Sequence, residues 1–166
     1  MSILVLGIGN LLLGDEAIGV RIVEALEQRY LLPPHVEVLD GGTSGMDLMD
    51  VMANRDHLIV ADAVLTGDEP GSVVVLRDDE IPAMFTRKVS PHQIGLADVL
   101  MALRLTDEFP ARLTLVGVVP QTLEPGIALS PVVRQAIEPA LQQIMAALHT
   151  EGVRMISAEV TDVTGH

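Results

Sequence analysis

An α/β fold is expected for this chain: a single three-layer domain whose twisted, largely parallel sheet of about five strands carries helices on both faces. Three observations lead there. Short apolar runs alternate with stretches in which apolar residues recur at helical spacing. The central run, HLIVADA at 57–63, is apolar almost throughout, as a strand covered on both faces must be. The first run ends in a glycine-bearing turn that leads straight into a helix, as in nucleotide-binding sheets.

The elements follow in order. Residues 2–7 form the first strand, and Asp15 is placed to cap a helix with Ile18, Ile22, Val23 and Leu26 on its buried face. LLPPH at 31–35 stops that helix and leads to a second strand, 36–40. GGTSG then turns into a helix near Ser44, which buries Leu48, Met49 and Met52. The strand at 57–63 is followed by the loop TGDEPG and a fourth strand at 72–76. After an irregular stretch, 77–94, a helix is expected at about 95–105 and a fifth strand at 112–119. A last long helix spans about 131–149, its stripe formed by Val133, Ile137, Leu141, Ile144 and Leu148, and Pro139 should kink or divide it. Residues 1–150 read as one domain, and 151–166 as a partly ordered tail with a short extended piece.

Composition narrows the function classes. The chain has 166 residues, 49% of them hydrophobic, enough for a real core. Its formal net charge of −13 argues against nucleic acid and anionic membrane surfaces, and one Tyr, two Phe and no Trp leave no stacking platform for bases. No apolar run approaches a membrane span. Cysteine is absent, which removes disulfides, thiolate zinc sites and a cysteine nucleophile. The opening MSILVLG has no basic region or cleavage site, so a cytoplasmic location is expected. No strongly apolar exposed stripe is legible, and a monomer is expected.

Several familiar sites fit poorly. A dinucleotide fingerprint would need glycine at a third position, where Leu12 stands, and Asp15 and Glu16 at the helix start would repel a pyrophosphate. A serine-hydrolase elbow fails at Met46, and no H-E-x-x-H occurs. Polar residues near the C-terminal ends of the strands are more telling, because open α/β sheets bind ligands there. Glu16 follows the first strand, Asp62 ends the very apolar third, and His92 lies in SPHQIG after the fourth. Two carboxylates and an imidazole suit nickel or zinc. Each residue also has a plain structural reading: Glu16 complementing a helix dipole, Asp62 bonded to loop amides, His92 at a helix start.

Taken together, GIGNLLLGDEAIGV, LDGGTSG, ADA and SPHQIGLADVL resemble the nickel–iron hydrogenase maturation endopeptidases in order and separation, through about residue 149. Ala17 stands where many members carry Gly. The resemblance implies an endopeptidase, aspartyl-type or metal-dependent, acting on the nickel-loaded precursor of a hydrogenase large subunit. It would remove a C-terminal peptide and let the subunit close over its metal centre. By motif the family's metal-binding residues fall on Glu16, Asp62 and His92, which are also the catalytic candidates. Asp40, Gly41 and Gly42 become candidates for positioning substrate. The implied metal is nickel carried by the substrate, and the same donors suit zinc or cadmium. Metal could polarise the scissile carbonyl or activate water, or it could serve as the recognition mark. The rival classes are a non-catalytic nickel chaperone using the same ligands and a nucleotide-binding oxidoreductase domain.

Overall fold

A computed structural model describes residues 1–42, 45–78, 80–81 and 91–158, with backbone alone for 91–95. Strand β1 (Ile3–Ile8) leads through a 3-10 turn, Gly14–Ala17, into helix α1 (Ile18–Arg29) and the short strand β2 (Tyr30–Leu31). Strand β3 (Val36–Gly42), a second 3-10 turn (Gly45–Leu48) and helix α2 (Met49–Met52) come next. Then follow β4 (His57–Ala63), β5 (Val73–Arg77), α3 (Pro91–Leu105) and β6 (Arg112–Val118). The chain continues through α4 (Pro131–Gln135) and α5 (Ile137–Thr150) to β7 (Ile156–Ser157).

The main sheet has the order β3-β1-β4-β6-β5, with β5 antiparallel to β6 and the other pairs parallel. The expected fold class is therefore the observed one. Alternation along the strands divides the core in two, because successive side chains point to opposite faces. Ile3, Val5, Ile59 and Ala61 meet Ile18, Ile22 and Leu26 of α1 and Leu141, Ile144 and Leu148 of α5. Leu4, Leu6, Leu58 and Val60 meet Met52 of α2 and Leu96, Val99 and Leu103 of α3. By the same alternation Asp62 belongs to the α3 face.

Some boundaries differ from the expected ones. Strand β3 runs on through Gly42, so Gly41 and Gly42 extend the strand expected to end at Asp40 rather than forming the turn after it. Its pairing with β1 shifts register between Gly7 and Ile8, which sets two residues of β3 against one of β1. Helix α3 starts at Pro91, several residues before the expected 95. Ser44, the expected helix start, lies outside the described residues. The last helix is divided, as Pro139 requires: α4 ends at Gln135, and Pro139, which has no N–H to donate, sits in the first turn of α5. Past residue 150, Val153 is buried and β7 pairs antiparallel with β2.

Candidate active site

The connection from β1 goes to one side, to β3, while β4 joins β1 on the other. The strand order therefore reverses between β1 and β4, the crevice where open α/β sheets take ligands. Both acids predicted from sequence reach that place. Asp62 is the penultimate residue of β4 and is 1% exposed. Glu16, also buried, lies in the 3-10 turn that packs against the end of β4.

Glycines let the turn and helix come this close. A Cβ on Gly9 would lie 2.1 Å from the Glu16 carbonyl oxygen, and one on Gly7 would lie 2.6 Å from the carbonyl oxygen of Gly19. These glycines allow the close backbone approach that seats the turn carrying Asp15 and Glu16 against the end of β1.

Burial pushes the Asp62 carboxyl well above its usual range. The amide of Ala63, donating to Oδ1 at 2.8 Å, works the other way, and the nearby Glu16 carboxylate raises it further. A buried carboxyl set beside a second buried carboxylate offers oxygen donors suited to a divalent cation, which would neutralise their charge.

The side chain of His92 lies outside what is described, although its backbone is placed. Helix α3 leads to the N-terminal edge of the sheet, where Asn54 donates to the Glu108 carbonyl and Ala111 to that of Arg55, each at 2.8 Å. Its 15 residues span ~22 Å at 1.5 Å per residue. The helix also packs against the 3-10 turn Gly45–Leu48, which follows the C-terminal end of β3, so it runs between the two edges of the sheet. Among the described residues, no three His, Asp or Glu side chains form a metal-sized group.

The substrate-positioning candidates occupy the neighbouring strand end. Asp40 is exposed, and its Oδ1 accepts the Gly42 amide at 2.9 Å. Gly9 in turn donates to the Gly42 carbonyl at 3.0 Å, tying this strand end to the glycine turn after β1. A Cβ on Gly41 would press to 2.9 Å from side-chain carbons of both Leu6 and Leu48.

Asp15 does not cap α1, as expected from sequence. The helix begins without a side-chain cap, and the buried Asp15 carboxylate instead gathers donors from residues 121–130. Burial alone would raise its carboxyl. The Ser130 amide and hydroxyl and the amides of Gln121 and Thr122 outweigh that effect and hold it below its ordinary range.

His57, the first residue of β4, is also buried. Its Nδ1 donates to Glu151 at 2.7 Å, and its Nε2 lies 2.8 Å from the Thr114 hydroxyl. Arg112 grips the same Glu151 carboxylate with two bonds, 2.7 and 2.8 Å long. This network closes the N-terminal edge of the sheet, away from the two acids.

Comparison with known proteins converges on one group. Residues 20–147 match the family model described as hydrogenase maturation protease. The hydrogenase 2 maturation protease of Escherichia coli K12 is 65% identical over 160 residues, covering 96% of this chain and 98% of that protein. The hydrogenase expression/formation protein HupM of Azotobacter chroococcum is 47% identical, over 92% of this chain and 74% of its own. Among solved structures, the hydrogenase maturating endopeptidase HybD from Escherichia coli superposes with a TM-score of 0.92, over 96% of this chain and 99% of that one.

Proposed function

The chain belongs to the hydrogenase maturation protease family, and from that premise we propose that it cuts the C-terminal peptide from a nickel-loaded large-subunit precursor at the crevice between β1 and β4. The observation that carries the reading is the pair of buried acids, Glu16 and Asp62, coupled electrostatically at the one point where the strand order reverses. His92, on the first turn of α3, completes a donor set of two carboxylates and an imidazole. Nickel arrives with the substrate, and these three groups recognise it.

The chemistry is hydrolysis of one peptide bond. Water adds to the scissile carbonyl, the C–N bond breaks, and a carboxylate remains on the subunit while the released peptide takes the amine. When bound, nickel supplies positive charge that neutralises the paired acids. Asp62, whose buried carboxyl favours its proton, would give that proton up as the ion docks, so recognition and ionisation are coupled. Asp40, with Gly41 and Gly42 at the end of β3, would position the extended segment to be cut.

The test is direct. Purified protein is incubated with the nickel-loaded precursor, the nickel-free precursor, casein and a synthetic peptide spanning the cleavage sequence, and masses are followed. A small mass loss is expected with the nickel-loaded precursor alone. Tight nickel binding with no change in precursor length would make the protein a chaperone. Efficient cutting of casein or of the peptide would remove nickel recognition from the reading.

A further inference from the structure

Asp15 stands just before α1 without capping it, and its carboxylate holds a distant segment instead. Its Oδ1 accepts the Ser130 amide at 2.7 Å, while Oδ2 accepts the Gln121 and Thr122 amides at 2.9 and 3.1 Å and the Ser130 hydroxyl at 2.8 Å. Backbone bonds join the same two segments: Gly14 donates to the Gly126 carbonyl at 2.7 Å, and Gly126 to that of Leu12 at 2.9 Å. A buried carboxylate is costly unless its acceptor sites are filled, and here four donors fill them. The segment from Gln121 to Ser130 is thus bolted to the turn that carries Glu16.

The edge this builds is apolar. Residues 8–14 carry no charge and 121–130 only Glu124, in a chain of net charge −13. Leu12 and Ile127 are 66% and 79% exposed, on either side of the Leu12–Gly126 bond. The edge is continuous with the proposed cleavage site, since the Glu16 amide donates to the Leu13 carbonyl at 3.1 Å.

Resting on the function proposed above, we propose that Asp15 is a positioning residue that locks residues 121–130 so that Leu12 and Ile127 form a fixed apolar contact for the folded body of the large-subunit precursor. The precursor is the occupant because this edge continues directly from the turn that carries Glu16, where the precursor is cut in the function proposed above. Loosening the lock weakens capture of the precursor and leaves the chemical step intact.

Cleavage rates measured against concentration of nickel-loaded precursor separate the two effects. Changing Leu12→Ala together with Ile127→Ala should raise KM about tenfold with kcat within about twofold, the scale of truncating central interface side chains. Ser130→Ala should raise KM in the same sense, and Ser130→Thr, which keeps the hydroxyl, should restore it. Asp15→Asn sets an amide group against backbone donors and should show the largest KM effect. Should it fail to fold, the Ser130 pair tests the lock in its place. Glu151→Gln, at the far edge of the sheet, controls for lost stability and should leave KM unchanged. An unchanged KM in the Leu12/Ile127 variant, or a fall in kcat alone in Ser130→Ala, would overturn the inference. A parent protein that leaves the precursor uncut would overturn the proposed function instead.

Discussion

A Cβ on Gly19 would stand 2.2 Å from the carbonyl oxygen of Ala61 and 2.4 Å from that of Ile8. Helix α1 therefore touches the backbones of both strands that border the crevice. This contact brings the preceding turn, with Glu16, into electrostatic reach of Asp62.

Changing Gly19→Ala should consequently harm both stability and activity. The new methyl meets backbone on two sides, and backbone cannot yield as the end of a side chain can. A loss of about 3 kcal/mol is expected, the upper end for overpacking, together with slower precursor processing. Urea unfolding checks it, and an unchanged midpoint would contradict the close approach.

Asp62→Asn should separate stability from activity. Burial, and then Glu16, raise the folded Asp62 carboxyl above its ordinary value of 3.8. Between that value and its raised one the folded protein holds more protons than the unfolded chain, so stability falls as pH rises through this window. Asparagine removes the dependence and can keep an oxygen toward the Ala63 amide. The metal-free variant should be no less stable at neutral pH and up to ~0.5–2 kcal/mol more stable, the scale of single stabilising changes. The gap should close as pH approaches 4, while processing is lost at every pH. Unfolding in chelator over a pH series, beside a processing assay, reads both; lower stability with activity retained would make Asp62 a structural acid.

Nickel binding should release a proton and tighten as pH rises, because the ion needs Asp62 ionised. Calorimetry in two buffers of different ionisation enthalpy measures the proton count. Glu16→Gln, Asp62→Asn and His92→Ala should each weaken binding, and the first two should be non-additive when combined, since the residues interact. Additive losses would mean that the two carboxylates act apart.

Glu151→Gln should destabilise the fold without touching catalysis. Its carboxylate holds Arg112 and the buried His57 together at the N-terminal edge. Weakening charge-assisted bonds of this kind costs roughly 1–3 kcal/mol. Thermal unfolding should show the loss, and the processing rate below the transition should equal that of the parent.

The layered fold was legible from residue order alone, because period-two and period-3.6 patterns are local consequences of backbone geometry. The same holds for the division of the last helix, where Pro139 lacks a donor whatever surrounds it. Glu16 and Asp62 could be marked as neighbours in sequence terms, since strand ends of a parallel sheet share one edge. What Asp15, Ser130, His57 and Glu151 do could not be read in this way. Asp15 sits where a cap would sit, and its partners lie more than 100 residues onward. His57 opens a strand, and Glu151 falls in what composition alone marks as a fraying tail. A polar side chain names the bonds it can make but not its partners. Those are chosen when burial strips its water and leaves only the groups that packing has brought within reach.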